Sequence, residues 1–480
     1  MQYAGPPGRL SRWFMAEQAL ALWHISLSEA LLLAALIFLI CGLDDLFIDI
    51  VFFARKLWRR LFIYTRHTPA TAQSLTSKTP GRIAIFVPAW DEQNVIAAML
   101  THLTATLDYP DYRVFIGLYP NDPEGQRAVA QLSDPRLQAV RCARPGPTSK
   151  ADCLNHLWAA LLREEARSSR PFKAIVLHDA EDVVHAQELR VHDALIPRLA
   201  MVQMPVRPLP DPASPWISGH YLDEFAEAHA KDLIVREALG AAVPSAGVAS
   251  GICRHMLGKI AANRASNGHP EGPFDAASLT EDYELGHRIK ALGGRAGLVR
   301  LKSQGEPLVI ATQEHFPATF TAAVNQKSRW LAGIALAGWD RIGWPGGLAD
   351  RYMLLRDRKG LLVALLGLIG YALLGLVALD SLARTLWPAA AALPPLVPEG
   401  SPLAALLLAN LALFAWRLTL RAGFTAHAHG WQEGLYAVPR ALVGNIINAA
   451  AALAAIRRYR TMLSSTAPPR WGKTLHRFPS

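Results

Sequence analysis

The stretch IVLHDAEDVV (175–184) places three carboxylates, Asp179, Glu181 and Asp182, within four residues, directly after an apolar run that ends in His178. Like charges about 4 Å apart repel by roughly 4 kcal/mol at an effective dielectric near 20. A hard divalent cation, Mg2+ or Mn2+, would remove that repulsion. Such ions take oxygen ligands, usually one or two carboxylates plus phosphate oxygens, so acids at a strand end can clamp a diphosphate. The competing reading is a solvated acidic turn that caps the next helix.

Four further stretches carry candidate chemistry. In SLTEDYELGHRIKALGG (278–294), Leu285, Ile289 and Leu292 recur at helical spacing and Gly293 ends the helix. Ser278 and Glu281 fit a capping box. That accounts for Glu281 and leaves Asp282 at a helix start, where the dipole is expected to keep it ionised as a general base. In NQKSRWLAGI (325–334), Gln326 and Arg329 share a helix face and Trp330 follows. Arg329 suits diphosphate oxygens and Trp330 the apolar face of a sugar ring; an interfacial helix anchored by Trp is the alternative. In PGPTSKADCLN (145–155), Lys150 offers a point charge to a phosphate, although a lone lysine is more often only solvated. The small residues of PSAGVASGICRH (244–255) would let backbone approach a ligand, or simply form a turn.

These residues need elements to hold them. GRIAIFVPAW (81–90), YRVFIGLYP (112–120) and FKAIVLHDA (172–180) read as strands, and 94–107 and 149–166 as the helices between them. That alternation predicts a parallel sheet with right-handed crossovers. Polar clusters follow each strand: Asp91 and Glu92, then Asn121 and Asp122, then Asp179 to Asp182. The carboxyl ends of strands are where open α/β sheets bind ligands.

Around this region the chain is apolar. Ala30 to Leu43 carries no charge, and the quiet stretch reaches back to Ala19 with only Glu29 inside. Leu361 to Leu379 has membrane-spanning length. Pro402 to Trp416 is shorter, extended by Leu418 and Leu420, with Arg417 expected to snorkel. Ala441 to Ile456 contains Asn445 and Asn448 and reads as an interfacial or re-entrant helix. The first run lacks a following small-residue cleavage site, which argues against a signal peptide. Arg55, Lys56, Arg59 and Arg60 outnumber Arg9 and Arg12, so the N-terminus is expected outside and the region after Leu43 in the cytoplasm. Arg457, Arg458 and Arg460 place the C-terminus there too. The expected division is a membrane helix and juxtamembrane segment over 1–60, a catalytic domain over 80–340, and membrane and interfacial helices over 341–480. ATAQSLTSKTPG (70–81) links the first two.

Of the 480 residues, 49 are Lys or Arg and 39 Asp or Glu, a net charge of +10. The cations flank hydrophobic runs, so lipid headgroups are the expected partners and nucleic acid is not. Cys41, Cys142, Cys153 and Cys253 form no CxxC pair, which favours free thiols over structural zinc.

The order VPAWDEQ, NDP, SKADCLN, DAED, ASGICR, TED and QKSRW, between hydrophobic segments, resembles the family-two inverting glycosyltransferases of the processive, cellulose-synthase-like kind. With REAL…VPSAGV, RDRKG and the tail HRFPS, it is most similar to a bacterial phage-adsorption branch of that family. The resemblance implies a GT-A α/β fold embedded in transmembrane helices and hexosyl transfer from a UDP-sugar with Mg2+ or Mn2+. Asp91, Glu92, Asp122 and Lys150 would bind the nucleotide. Asp179 and Glu181, with Asp182 beside them, would serve the metal. Asp282, beside Glu281, would be the base, and Gln326, Arg329 and Trp330 would hold the diphosphate and the acceptor end. The spacing DAED leaves open whether Glu181 or Asp182 is the second ligand, and PNDP departs from the usual DDGS-like turn at Asp122. The branch implies UDP-N-acetylmannosamine as donor and a growing polysaccharide as acceptor, made at the bacterial inner membrane and later used by a phage as receptor. It also implies an outer-membrane export partner, and cyclic di-GMP control that is expected here either to be absent or to come through a separate protein. Addition of one sugar to a lipid by a non-processive enzyme is the alternative.

Overall fold

The computed structural model describes residues 9–464, 471–472 and 477–479, with side chains from residue 18 onward, Ala389 excepted. The extreme N-terminus and the His476 and Ser480 ends of the HRFPS motif lie outside the described residues. The chain divides into two compact units, one of residues 1–50 and 362–420, the other of 51–361 and 421–480.

The first unit is helical. Helix α1 (Arg9–Trp58) contributes Leu27, Leu31, Ala34 and Ala35 to a small apolar core with Leu373, Leu396 and Leu403. Asn410 Nδ2 donates to the Ala35 carbonyl at 2.8 Å, and Trp416 Nε1 to Asp49 Oδ2 at 2.9 Å. Arg417 Nε lies 3.7 Å from Asp45 Oδ2. Leu33, Ile40, Leu374, Leu408 and Leu411 stay exposed, as lipid-facing positions would.

The second unit carries the sheet. In chain order it holds β1 (Ile83–Pro88), α2 (Ile96–Thr106), β2 (Tyr112–Leu118), α3 (Pro123–Ala130), β3 (Leu137–Arg141), α4 (Lys150–Ser168), β4 (Ala174–Leu177) and α5 (Glu188–Leu195). There follow β5 (Met201–Gln203), β6 (Val206–Pro208), α6 (Gly219–Glu227), α7 (Leu233–Ala238), β7 (Ser250–Cys253), α8 (Arg254–Ser266), α9 (Glu281–Ala291), β8 (Ala296–Leu298), β9 (Thr312–Glu314) and α10 (Phe320–Leu331). Beyond them come α11 (Gly338–Ile342), α12 (Leu348–Leu386), α13 (Pro388–Ala391), α14 (Pro402–His429) and α15 (Trp431–Leu463).

Strand β1 is buried along its whole length because both faces are covered. Ala84 and Phe86 face Leu154, Leu157 and Trp158 of α4. Ile83, Ile85 and Val87 face Ile96, Met99, Leu100 and Leu103 of α2, which recur at helical spacing. The sheet order is β3-β2-β1-β4-β7-β5-β8, with β6 and β9 forming a second small sheet. The three expected strands, β1, β2 and β4, are parallel, and β3, which the sequence reading did not find, joins them in parallel; β7 runs antiparallel to both β4 and β5, so the sheet is mixed. The chain leaves β1 for β2 and returns to β4 on its other side. The switch point therefore lies between the carboxyl ends of β1 and β4.

Among the described residues, four helices, including α12, α14 and α15, are long and apolar enough to cross a membrane. Helix α15 differs from the others. Its small residues Ala437, Ala441, Gly444, Ala451, Ala452 and Ala455 are buried, and it packs along α10 and α6. Arg440, within it, is wholly buried and reaches Asp223 of α6 at 2.8 Å.

Candidate active site

A cavity of about 330 Å3 opens at the switch point. Strand β1 leads to Pro88 and Glu92, the start of α4 brings Ser149 and Lys150, and β4 leads to Asp179 and Glu181. Across from them stand Glu281 and Asp282 of α9, Glu314 of β9, and Gln326, Arg329 and Trp330 of α10. A cavity of this size with a few convergent polar groups is the usual form of a small-molecule site.

Helix α4 points its N-terminus at the cavity. Ser149 caps it, accepting from Asp152 N–H at 3.2 Å. Lys150, the first helical residue, sets its Nζ 2.5 Å from Asp179 Oδ1. Burial works to lower the Lys150 pKa, but Asp179, Glu281 and Asp282 outweigh it and hold the group above its ordinary value. The ammonium therefore stays charged at the centre of the acids.

Asp179, Glu181 and Asp182 do not act alike. Asp179 and Glu181 face the cavity, whereas Asp182 is wholly buried behind it. Asp182 Oδ2 accepts from Asp179 N–H at 3.0 Å and sits 2.7 Å from His178 Nδ1. His178 Nε2 lies 2.8 Å from Glu188 Oε1. Burial alone would depress the imidazole, yet Glu188 and Asp182 push it up to about 10, so His178 is an imidazolium clamped between two carboxylates. Asp182 thus bonds the turn that presents Asp179 and Glu181 and lies outside the cavity lining that those two share.

Asp122 is also internal. One carboxylate oxygen caps α3 through Gly125 N–H at 3.0 Å, and the other takes Asp91 N–H at 3.0 Å. That bond holds Asp91 in a left-handed conformation (φ 57°). Asp91 and Asp122 both lie outside the cavity lining, while Glu92 is within it. Asn121 bonds both backbone groups of Gly146 and so shapes the loop that leads to Lys150.

The TED turn departs from the expected capping box. Helix α9 begins at Glu281 with Thr280 as its N-cap, and Ser278 Oγ donates to Glu284 Oε1 at 2.6 Å. Glu281 and Asp282 are thereby free of capping and face the cavity. Burial raises both pKa values, Asp282 adds to the rise at Glu281, and Lys150 and Arg329 offset part of each. Asp282 Oδ1 accepts from Tyr283 N–H at 2.7 Å. Its Oδ2 lies against Gly247, where a Cβ would stand 2.6 Å away.

The loop around Gly247 is stapled by Gln203, a wholly buried side chain. Gln203 Oε1 takes Ala246 N–H at 2.8 Å and Ser250 Oγ at 2.5 Å, and Nε2 donates to the Met204 and Val248 carbonyls. Helix α10 is fixed from behind. Lys327 Nζ reaches Glu224 Oε2 at 2.5 Å and Asn448 Oδ1 at 2.9 Å, which leaves Gln326, Arg329 and Trp330 on the cavity face. Arg329 donates to the Leu279 carbonyl at 3.1 Å. The backbone of Gly333 packs so closely on Thr280 that a Cβ there would come within 2.5 Å of Oγ1.

Glu314 and Trp471 line the cavity although neither belongs to a motif read from the sequence. Glu314 sits in the three-residue strand β9, and burial beside Asp182, Glu181 and Asp179 raises its pKa well above the carboxylate range. Trp471 donates its N–H to the Thr148 carbonyl at 2.7 Å and packs on Tyr119, Cys142 and Cys153. All four cysteines are free thiols.

Residues 80–333 match the family described as glycosyltransferase-like family 2, a little over half of the chain. The chain belongs to glycosyltransferase-like family 2. Its α/β unit is accordingly the GT-A-like domain of a glycosyltransferase, and the acid cluster sits where that family-2 domain opens at its switch point. The bacteriophage adsorption protein B of Escherichia coli K12 is 37% identical over 479 residues. That alignment covers 96% of this chain and 63% of the relative, so the chain spans under two thirds of the curated relatives it matches. Among solved structures, the mannosyltransferase PcManGT from Pyrobaculum calidifontis, in complex with GDP-Man and Mn2+, is 17% identical, with 88% and 99% of the two chains covered and a TM-score of 0.46. Glucosyl-3-phosphoglycerate synthase from Mycobacterium tuberculosis is 16% identical, with 58% and 88% covered and a TM-score of 0.35.

Among the described residues, no three His, Cys, Asp or Glu side chains are gathered to hold a metal ion by themselves. The family-2 site nevertheless suits a hard cation of the kind that keeps only one or two carboxylates and completes its shell with phosphate oxygens. Asp179 and Glu181 are the donors of that turn that line the cavity.

Proposed function

We propose that this chain is an inverting glycosyltransferase of the bacterial inner membrane that uses a nucleotide-diphosphate sugar to build a surface polysaccharide. The observation that carries the reading is the shared cavity. A raised-pKa carboxylate, Asp282, faces the same space as Lys150, the start of α4, and Arg329. Carboxylates poised above their ordinary range suit proton abstraction near neutral pH. In this reading the diphosphate lies between Lys150, the α4 N-terminus and Arg329, with Asp179 and Glu181 holding Mg2+ or Mn2+. The bound cation would neutralise charge on the departing diphosphate. Asp282 Oδ2 takes the acceptor hydroxyl proton as the oxygen attacks the anomeric carbon from the face opposite the nucleotide. Trp330 offers its ring to the acceptor sugar.

UDP-N-acetylmannosamine is the proposed donor, and the polysaccharide is proposed to serve as a phage receptor; the likeness to adsorption protein B supports this. Export through an outer-membrane partner and control by cyclic di-GMP belong to the same proposal. The test is UDP release by the purified chain in lipid discs, across a panel of UDP-sugars with Mg2+ or Mn2+. Asp282→Asn is expected to lower turnover about 10²–10⁴-fold while UDP still binds. Full turnover in that variant, or no release from any donor by wild type, refutes the reading. A ladder of products supports polymerisation, and a single glycolipid supports one-sugar transfer instead.

A further inference from the structure

A second cavity, of about 70 Å3, lies behind the wall formed by Val206, Phe225 and His229, which face both cavities. Its charged lining is one-sided. Arg207 of β6, Arg300 and Lys302 after β8, and His427 and His429 at the end of α14 converge on it, and no Asp or Glu lines it. Arg207 and Arg300 are half-buried. Arg207 gives one hydrogen bond, to Gln313 Oε1 at 2.7 Å, and Arg300 Nε is buried with no hydrogen-bond partner among the described residues.

Other buried cations of the unit are compensated within the chain: Arg358 stacks on the Trp339 and Trp344 rings and donates to the Gly338 and Gly343 carbonyls. Lys231, Lys327, Arg236 and Arg440 are buried too, and each has a carboxylate within 2.8 Å. Buried cations are costly unless paired, so evolved interiors pair them. At Arg207 and Arg300 burial lowers both pKa values and no carboxylate opposes it. An anion from outside the chain would supply the partner that these two side chains lack in the cavity. The guanidinium fork matches phosphate oxygens, and two forks on separate segments can share one phosphate group.

We propose that this cavity is a binding site for a net-anionic phosphate group, which the cationic lining would favour over a zwitterionic headgroup. Phe424, Leu308, Val309 and Pro307 give it an apolar side next to the last turns of α14, a helix of membrane-crossing length. An anionic phospholipid, with a phosphate above a glycerol and acyl chains, offers both chemistries; free phosphate offers one. The site does not depend on the transferase reading. Because it shares Val206, Phe225 and His229 with the larger cavity, a bound headgroup would also set that wall in place.

The test uses the full chain, delipidated in neutral detergent. Native mass spectrometry counts phosphatidylglycerol and phosphatidylcholine retained after each is added back, and a thermal-shift titration uses inorganic phosphate. We expect wild type to retain phosphatidylglycerol at least tenfold more tightly than phosphatidylcholine. The Arg207→Gln/Arg300→Gln variant should lose that preference, and Arg300→Lys should keep only part of it. Stabilisation by inorganic phosphate without lipid retention would assign the site to a free phosphate group. Equal retention of the two lipids together with no response to phosphate overturns the proposal, and this comparison is made on wild type, so it stands even if a variant fails to fold.

Discussion

Gly247→Ala probes the position of Asp282 without altering any acid. Gly247 has φ +81°, and a Cβ built there lies 2.6 Å from Asp282 Oδ2. Ordinary contact begins near 3.4 Å, so the carboxylate must retreat by about 0.8 Å or the loop must open. The loop resists opening because Gln203 staples it at Ala246 and Ser250. The carboxylate should therefore move, and a displacement near 1 Å can cost about 10²-fold in rate. An alanine in the left-handed region also costs about 1–2 kcal/mol. Gly293→Ala separates these effects: Gly293 has φ +78°, and nothing lies within 4 Å of its Cβ position. Both variants should lose similar thermal stability, but only Gly247→Ala should lower kcat, by about 10²-fold, with UDP affinity little changed. The assay is UDP release under saturating donor, with UDP binding measured by displacement. Wild-type kcat in Gly247→Ala, or an equal kcat loss in Gly293→Ala, would refute the placement of Asp282 at the reacting centre.

Further outcomes follow from the same geometry. The raised pKa values of Glu281 and Asp282 mean that the base is protonated at a higher pH than an exposed carboxylate. The rate should fall as pH drops while still above the ordinary Asp range, and a profile flat down to pH 4 would argue against either acid as base. Glu181→Gln and Asp182→Asn should diverge: the first raises the Mn2+ concentration needed for half-maximal activity. The second leaves His178 without one of its carboxylates and should destabilise the fold by about 3–5 kcal/mol, read as a lowered Tm. His178, with its folded pKa raised to about 10, contributes stability that is complete below its unfolded value near 6.5 and is lost as pH rises through about 10. The Tm gap between wild type and His178→Gln should therefore narrow over that window, and a gap that widens would contradict the imidazolium assignment.

The strands at 83–88, 112–118 and 174–177 and the helices after them were readable because each is a short apolar run or a helical repeat with clear flanks. The reversed strand β7 was not. It is four residues, SGIC, inside a small-residue stretch that reads equally well as a turn. Its direction is decided by pairing with β4 and β5, which are distant in sequence. Glu314 was invisible for the same reason, being a lone acid in a three-residue strand that tertiary pairing with β6 brings to the cavity.

Sequence alone determined which residue types converge: acids after strands, a lysine at a helix start, and an Arg and Trp at helical spacing. Those features are local, written in apolar periodicity and in the short-range chemistry of turns. Which carboxylate of each cluster faces the ligand was decided only by the folded chain. Asp182 and Asp122 turn inward because buried N–H groups and an imidazolium must be satisfied there, and such partners are set by packing. Whether Glu281 caps or faces the cavity depended on tertiary geometry, in which Ser278 Oγ bonds Glu284 rather than the helix start at Glu281. The raised pKa of Asp282 likewise followed from desolvation, a property of the enclosed cavity that no spacing of residues along the chain encodes.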